Sequence, residues 1–425
     1  MQADATRGRH DLVTHDLITD DSITHDILIV GGGLVGASLA IALDRLGLDV
    51  GMVEATPPGA LPPVFDERNL SFAAATVNAL TALGVMQKLQ ASPAPIRRIH
   101  VSRKGDFGRV KLEATDYGRD AFGQVVVARA FGDALEARLG ELQNLTRYRP
   151  SRFAGTDAAN AGYRTILVED PASPEPQSIK ARLIVAADGT RSTIRDALGI
   201  ATDEHDYAQT LLVARIRAQR APDGTAYERF GSDGPTALLP RGDRHFGVIH
   251  GVARRDVDAV MASSDVEWLA RLQGAFGWRV GKLLSSGPRS AYPAIRVVAT
   301  RTTTERAVLV GNAAQTIHPI GAQGFNLGLR DALTLAELIE QHDGDPGDAA
   351  LLAAYAERRR EDRSRTLAFS DGLARITSND ASLLRPLRSL GMMAADAVPS
   401  AQAMLVGGAM GYRADVPALC REVAP

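Results

Sequence analysis

Cysteine is almost absent from this chain of 425 residues, because Cys420 is the only one. A single cysteine excludes an intramolecular disulfide, a CxxC redox pair and a zinc or iron–sulfur centre held by several thiolates. It also fits a reducing compartment. Aromatic side chains are few as well, at 5%, which argues against a single-stranded nucleic-acid surface built from stacking platforms.

The chain also lacks an excess of charge of either sign and long apolar runs. Its 48 Lys and Arg residues nearly balance 50 Asp and Glu residues, so no overall field recruits nucleic acid or an anionic membrane. No apolar run reaches the roughly 20 residues that span a bilayer. The start, MQADATRGRHDLVTHD, has acidic residues and histidines where a signal peptide needs a basic start and an apolar core. We therefore expect a cytoplasmic protein.

Residues 1–24 are predicted to form a flexible tail. The fragments HDLVTHDLITDD and ITHDILIV resemble each other, which hints at a short duplication. His10, His15 and His25 raise the alternative of a metal site. No carboxylate or cysteine framework accompanies them, so scattered histidines are the preferred interpretation and no metal site is predicted.

A βαβ unit follows the tail. Residues 26–30 (DILIV) form a short apolar run that is typical of a buried parallel strand, and residues 48–53 predict a second strand. Leucines at helical spacing lie between the two strands, and Gly47 is placed to end that helix. Glu54 stands at the carboxyl end of the second strand.

A GxGxxG pattern fills the first turn of this unit. Gly31 allows the tight turn, Gly33 lets a pyrophosphate approach the backbone, and Gly36 lets the helix pack on the strand. Glu54 is placed to accept hydrogen bonds from an adenosine ribose. The unit therefore predicts a bound dinucleotide. Because no second GxGxxG occurs, two interpretations stay open: one bound nicotinamide, or one bound flavin that a nicotinamide visits transiently.

The rest of the chain predicts further strands and a helical end. Residues 181–187 and 307–310 are apolar runs typical of buried strands. Short alternating runs between residues 201 and 296 predict a mostly antiparallel second sheet. Helical patterns follow residue 348. Within them, residues 357–365 (ERRREDRSR) are interpreted as a solvated helix face, because acidic residues interrupt the basic ones.

Two long motifs make a family resemblance specific. Residues 188–195 (DGTRSTIR) resemble the DG motif of single-component flavin aromatic hydroxylases, the group that includes p-hydroxybenzoate hydroxylase. Residues 311–331 (GNAAQTIHPIGAQGFNLGLRD) resemble their second flavin motif, in the version of the ubiquinone-biosynthesis hydroxylases. Within that branch the motif is closest to the hydroxylases of 2-polyprenyl-6-methoxyphenol. Further matches occur in ERF (228–230), PTALLP (235–240), Tyr292-Pro293 and residues 377–399, so the likeness runs from about His25 to Tyr412.

The resemblance implies an α/β fold with a Rossmann-like FAD-binding domain, an inserted and mostly antiparallel β-sheet substrate domain, and C-terminal helices. The implied boundaries are as follows: 25–92, 123–200 and 293–345 for the discontinuous FAD-binding domain, 93–122 and 201–292 for the substrate domain, and 346–425 for the C-terminal helical region.

The resemblance also implies a set of FAD-binding residues. Glu54 would hold the adenosine ribose, and Asn312 the ribityl chain. Arg68 and Gln124 would contact the flavin. The alternative interpretation of Arg68 is an exposed arginine in a loop, and that of Gln124 is a strand residue without a role in binding. The implied contacts are Gly31, Gly33, Gly36, Glu54, Arg68, Gln124, Arg129, Asp188, Gly189, Gly311, Asn312, Pro319, Gly324, Phe325 and Asn326. Two positions depart from the family pattern: Asn312 replaces an aspartate, and the Gly321-Ala322 order places an alanine that restricts the loop under the flavin ring.

The implied reaction uses bound FAD, NAD(P)H as a transient reductant and O2 as a co-substrate. A hydroperoxide on the flavin C4a then transfers one oxygen atom to a phenol ring. Pro319 would brace the loop beside the flavin, and amides at the helix start near Gly324 would stabilise negative charge on the reduced ring. His318 is the candidate catalytic base, with a structural role as its alternative.

The implied substrate is a polyprenyl phenol, which is too apolar to arrive through water. Residues 383–393 and 403–412 form two apolar stretches. They predict either a helical hairpin packed on the body or a surface that touches the inner membrane or other ubiquinone-biosynthesis proteins. Three alternatives to the implied function stay open: a sister hydroxylase acting at another ring position or on a soluble aromatic, a non-catalytic scaffold, and a flavin reductase or dehydrogenase.

Overall fold

The computed structural model describes residues 23–160, 162–232, 234–378, 385–412 and 415–421. These residues form twenty β-strands: β1 (Ile23–Val30), β2 (Val50–Val53), β3 (Asn69–Ala73), β4 (Ala94–Pro95), β5 (Arg98–Arg103), β6 (Arg109–Glu113), β7 (Gly123–Val127), β8 (Leu145–Tyr148), β9 (Arg152–Thr156), β10 (Arg164–Glu169), β11 (Gln177–Ala186), β12 (Thr202–Ala218), β13 (Thr225–Gly231), β14 (Gly234–Pro240), β15 (Phe246–Ala253), β16 (Leu283–Ser286), β17 (Ser290–Ala299), β18 (Thr303–Thr304), β19 (Ala307–Leu309) and β20 (Gln315–Thr316). They also form ten α-helices: α1 (Leu34–Asp44), α2 (Ala74–Ala82), α3 (Ala128–Leu139), α4 (Thr193–Ala197), α5 (Val257–Ala262), α6 (Asp265–Phe276), α7 (Gln323–Gln341), α8 (Ala349–Ser378), α9 (Arg385–Ala397) and α10 (Pro399–Met410).

Strand β1 is the centre of the first sheet, whose path is β18-β19-β11-β1-β2-β8, with β10 and β9 added beside β11. It pairs in parallel with β11 on one side and β2 on the other. Residues 27–29 are completely buried. Ile27 and Ile29 pack toward α1 and α7, and Leu28 packs toward the opposite face, which explains the unbroken apolar run in the sequence.

The second sheet has the path β20-β17-β12-β15-β14-β13-β5-β6, with β16 beside β12. All of its pairs are antiparallel except the β5–β13 pair. The parallel pair joins strands that are far apart in the chain, as parallel neighbours require a long connection. Together the two sheets confirm the predicted α/β fold with a mostly antiparallel second sheet.

The predicted domain boundaries remain predictions, although some strands cross them. Strand β17 runs through residue 293 and belongs to the second sheet, as does β20. Ile23 and Thr24, the last residues of the predicted tail, already belong to β1. The remainder of that tail, including His10 and His15, lies outside the described residues.

The C-terminal helices pack on α7 and on the second sheet. Helix α8 packs along α7, α9 packs on β6, and α10 packs against α9. Val406 and Met410 of α10 share a core cluster with Val110 and Leu112 of β6. Helices α9 and α10 thus form a hairpin (residues 385–410) seated on the second sheet, and no helix of the described residues is long and apolar enough to cross a membrane.

The interpretation of residues 357–365 as a solvated helix face is wrong for part of the segment. Arg359 and Asp362 are each 2% exposed, and Arg363 donates to Gln315 Oε1 and to the carbonyl of Ala299. These side chains share one face of α8, which lies against the second flavin motif. The opposite face is solvated. Buried and exposed charged residues alternate around this helix, so the sequence pattern could not indicate which of them are buried.

Candidate active site

The glycine turn after β1 has the geometry that a diphosphate requires. Gly31 has φ +111°, and a Cβ atom there would lie 2.5 Å from the carbonyl oxygen of Ala187. A Cβ atom at Gly36 would lie 1.9 Å from the carbonyl oxygen of Gly31. At Gly33, by contrast, a Cβ atom would meet nothing within 4 Å. Gly31 and Gly36 are therefore needed by the fold, whereas Gly33 borders open space at the start of α1.

Glu54 is buried and already has a partner that the sequence did not indicate. Arg147 of β8 donates from Nε and Nη2 to the two oxygens of Glu54, at 2.6 and 2.7 Å. The same guanidinium binds Glu136, and although burial opposes it, these bonds raise the pKa of Arg147. A Cβ atom at Gly32 would lie 2.2 Å from Glu54 Oε1, so any side chain at position 32 would clash with this carboxylate.

The second flavin motif is held in place by Asp331. Its Oδ2 accepts from the Gly311 amide at 3.1 Å and from Gln315 Nε2 at 2.6 Å. Gly311 has φ +59°, and a Cβ atom there would lie 2.9 Å from Cγ2 of Val35. The neighbouring Asn312 is exposed, and its side chain has no hydrogen-bond partner among the described residues, which leaves it available to a ligand hydroxyl.

A buried ion network supports Asp331 from behind. Arg359 Nε donates to Asp331 Oδ1 at 2.8 Å, and its Nη1 lies 2.8 Å from Asp362. Arg330 Nε donates to Asp362 at 2.7 Å. All four side chains are nearly inaccessible to solvent. Arg330 and Asp331 were recognised only as letters of the motif, and nothing in the sequence pointed to Arg359 or Asp362.

His318 is turned into the protein. Its Nδ1 accepts from the Ile320 amide at 3.2 Å, and its carbonyl accepts from Ser370 Oγ at 2.9 Å. The ring is edge-on to Tyr207, and burial lowers its pKa to about 4. A neutral imidazole that receives a backbone amide fits a role in shaping the loop. Pro319 is exposed toward a cavity described below.

The loop then turns sharply into α7. Gly321 has φ +70°, and Ala322 has φ +51° in the left-handed region, which costs about 1–2 kcal/mol for a residue with a Cβ atom. Asn326 accepts from the Ala73 amide and Thr76 Oγ1 through its Oδ1. The Phe325 ring packs against two aromatic neighbours. Both of these side chains are structural, so the amides of residues 324–326 are the groups that remain for a cofactor.

The remaining predicted FAD contacts differ in whether their side chains already have partners within the protein. Asp188 Oδ1 and Gln124 Oε1 are buried and have no hydrogen-bond partner among the described residues. Arg68 is paired with Asp66 at 2.9 Å and lies 4.2 Å over the Tyr292 ring. Two predicted contacts lie at the margin: Arg129 is exposed and donates to Glu67, and Gly189 has φ +90° with open space before it.

These residues fit FAD. The three motifs meet, because Gly31 abuts Ala187 and Asp188 while Val35 abuts Gly311. The meeting place lies at the carboxyl ends of β1 and β11, where open α/β sheets bind ligands. Open space at Gly33 suits a diphosphate, and the orphaned oxygens of Asp188 and Gln124 suit the donors of a ribityl chain or flavin ring.

A cavity of about 930 Å³ adjoins the loop of residues 318–323. Its walls are one face of the second sheet, this loop, the hairpin of α9 and α10, and side chains of β3 and α8. Apolar side chains dominate the lining, including Ile99, Phe230 and Met392. Glu228 of β13 is the only carboxylate among the described lining residues. The sequence singled out Glu228 only as part of a motif match.

Comparisons with known proteins agree with this geometry. The family model described as "FAD binding domain" matches residues 24–370. Ubiquinone hydroxylase UbiL of Rhodospirillum rubrum is 34% identical over 390 residues, which cover 90% of this chain and 89% of that protein. The 3-demethoxyubiquinol 3-hydroxylase of Escherichia coli is 28% identical, over 87% of this chain and 94% of that protein.

The fold has a solved counterpart. The crystal structure of p-nitrophenol 4-monooxygenase PnpA from Pseudomonas putida superposes with a TM-score of 0.75 at 18% identity, covering 92% of this chain and 99% of that one. At this identity the likeness concerns the fold alone. The family model and the UbiL relative carry the assignment further. The chain belongs to the FAD-binding family of flavin hydroxylases that includes the ubiquinone hydroxylases.

Proposed function

We propose that this protein hydroxylates the aromatic ring of a polyprenyl phenol in ubiquinone biosynthesis, converting 2-polyprenyl-6-methoxyphenol to the 1,4-benzoquinol. The observation that carries the proposal is the apolar cavity of about 930 Å³ beside the loop of residues 318–323. Apolar cavities of this size with few polar groups are typical of ligand sites. The names of the UbiL and Escherichia coli relatives support a quinone precursor as the ligand.

The cofactor would bind along the edge where the three motifs meet. Bound FAD, reduced by NAD(P)H, would supply the activation of O2 that no side chain supplies. In this proposal Gly33 admits the diphosphate, Glu54 and Arg147 face the adenosine ribose, and Asn312 binds the ribityl chain. The amides at the start of α7 stabilise negative charge on the reduced ring.

The substrate would enter the cavity with its ring toward Pro319. The polyprenyl chain would then lie between the second sheet and the hairpin of α9 and α10, whose Met392 and Leu405 line the cavity. Apolar walls exclude water from the reacting ring and bind the chain by burial. A soluble aromatic would leave most of this volume empty, which favours a prenylated substrate.

A second candidate is hydroxylation at another position of the same ring. The Escherichia coli relative is named as a 3-hydroxylase, and the ring position depends on how the head group is oriented in the cavity. A non-catalytic scaffold is the alternative in which the fold is kept without the reaction.

The function is tested by profiling quinone intermediates in cells that lack the protein. We expect 2-polyprenyl-6-methoxyphenol to accumulate, and wild-type protein to remove it. A Gly33→Trp variant should fail to do so, because its side chain would fill the open space at the turn. Complementation by both forms would support the scaffold. Accumulation of a different ring intermediate would support the second candidate, and no accumulation would contradict the pathway.

We also propose that the outer face of the hairpin contacts the membrane. Beside it, Phe107 donates its amide to Ser389 Oγ of α9, and the exposed Lys104 and Arg109 flank this phenylalanine. An apolar tip with basic neighbours suits an anionic phospholipid surface. The exposed apolar side chains of this surface are between 43% and 69% accessible: Phe107, Leu390, Met393, Val398 and Met404.

Vesicle flotation tests this contact. We expect the holoenzyme to bind vesicles of phosphatidylglycerol and phosphatidylethanolamine, and a Phe107→Ser/Met404→Ser double variant to bind about a hundredfold or more weakly, since each of the two lost apolar side chains contributes roughly 1.5–3 kcal/mol when buried. Trp278→Ser is the matched control, because Trp278 is equally exposed but lies outside the hairpin. Equal loss in the control, or no binding by the wild type, would contradict the proposal and favour a protein partner.

A further inference from the structure

Glu228 occupies an unusual position for a carboxylate. It lies on β13 between Ala226 and Phe230, and all three line the cavity. Arg229 projects to the opposite side of the sheet, where it donates to the carbonyl of Phe276 at 3.1 Å. The alternation of the strand therefore directs Glu228 into an otherwise apolar chamber.

The carboxylate also lies within reach of the reacting end of the chamber. Phe230, two residues along β13, packs against Ile320 of the loop that follows Pro319. Two residues along a strand span about 7 Å. A phenol ring placed between this loop and β13 can therefore present its hydroxyl group to Glu228 while a ring carbon faces Pro319.

Glu228 has no hydrogen-bond or ion-pair partner among the described residues. Three other polar side chains of the lining have partners: Arg103 faces Asp106 at 3.7 Å, His318 accepts a backbone amide, and Asn326 ties α7 to β3. Glu228 is half-buried and lines the chamber, and a carboxyl group without a partner among apolar side chains is poorly solvated. This is the arrangement expected of a group whose partner is the substrate.

The protonation of Glu228 suits such a partner. Burial alone raises its pKa to about 7, so both forms are present near neutral pH. The titratable and charged groups around the chamber are Arg103 from β5, Tyr227 from β13 and His318 from the loop. His318 is neutral there because burial lowers its pKa to about 4, and Arg103 faces Asp106.

We propose that Glu228 is a catalytic residue that binds the phenol hydroxyl of the substrate and accepts its proton. The phenol O–H bond breaks, a carboxyl O–H bond forms, and the electron pair stays on the phenol oxygen, where it enriches the ring carbons ortho and para to it. The same proton returns to that oxygen after the ring is oxidised. This inference rests on the proposed function.

The test compares wild type, Glu228→Gln, Glu228→Asp and the exposed-site control Glu169→Gln as FAD-loaded enzymes. The probe is 2-farnesyl-6-methoxyphenol, with product measured by mass spectrometry between pH 5.5 and 9. We expect wild-type kcat/KM to rise with pH through about 7. The kcat/KM of Glu228→Gln should be about 100-fold lower than that of the wild type, and it should no longer rise with pH. Glu228→Asp should recover part of the rate and part of the pH dependence. The control should match the wild type in both.

Two further readouts separate catalysis from folding. The FAD content of Glu228→Gln and its unfolding temperature at pH 8 should equal or exceed the wild-type values, because an amide costs less than a carboxylate among apolar side chains. A Glu228→Gln enzyme within threefold of wild type, with the pH limb unchanged, would overturn the inference. Failure of the wild type to hydroxylate this or any other prenylated phenol would instead overturn the proposed function.

Discussion

Replacing Arg359 by alanine is expected to destabilise the holoenzyme by about 3–5 kcal/mol and to weaken FAD binding. The guanidinium lies between Asp331 and Asp362, and all three side chains are buried. Its removal leaves two carboxylates with one fewer counter-charge in a medium where an unpaired charge is poorly solvated. Asp331 then holds the Gly311 amide less well, so the effect reaches the cofactor site.

The neighbouring arginine provides the control for this prediction. Arg360 is exposed and, among the described residues, forms an ion pair with Glu357, one turn earlier on α8, so Arg360→Ala should leave the unfolding midpoint unchanged. Thermal denaturation followed by circular dichroism, together with flavin absorbance after gel filtration, measures both effects. Equal behaviour of the two variants would mean that the network does not support the fold as described.

Gly36→Ala is expected to abolish FAD binding and to destabilise the protein by about 3 kcal/mol or more. The new Cβ atom would lie 1.9 Å from the carbonyl oxygen of Gly31, and this neighbour is backbone, which cannot rotate away. Relief requires that α1 separate from β1. Helix α1 is buried over residues 36–43, so its displacement opens the core.

Gly33→Ala should weaken FAD binding without changing the stability of the fold. Its Cβ atom meets nothing within 4 Å, and Gly33 has φ −77°, which alanine adopts without strain. We therefore expect an unchanged unfolding midpoint for the apoprotein and a weaker affinity for FAD, measured by equilibrium titration of flavin fluorescence. A Gly33→Ala variant that binds FAD as the wild type does would contradict the placement of the diphosphate at this turn.

Local patterns in the chain were sufficient for four strands of the first sheet and for its glycine turn. The strand of residues 26–30, the glycine turn, the helix and the strand that precedes Glu54 follow one another in the chain, so residues close in sequence predict each of them. The long motifs of residues 188–195 and 311–331 likewise predicted the FAD-binding family, which the comparisons confirm. Each of these features depends on backbone turns that only certain residues permit.

Contacts between distant segments were not predictable in the same way. Arg147 meets Glu54 across 93 positions, and Arg359 meets Asp331 across 28 positions from a helix whose other face is solvated. Neither pairing leaves a periodic signal, because a charged residue has the same letter whether it is buried with a partner or exposed to water.

The sequence by itself thus determined the Rossmann unit, the order of the flavin motifs and the family, since these depend on glycine conformation and short-range periodicity. Only the tertiary structure decided which charged groups are buried, that His318 is turned toward a backbone amide, and that Glu228 faces an apolar cavity. The physical reason is that burial and partnership are set by the packing of segments far apart in the chain. The cavity itself exists only where the second sheet, the loop of residues 318–323 and the hairpin of α9 and α10 come together.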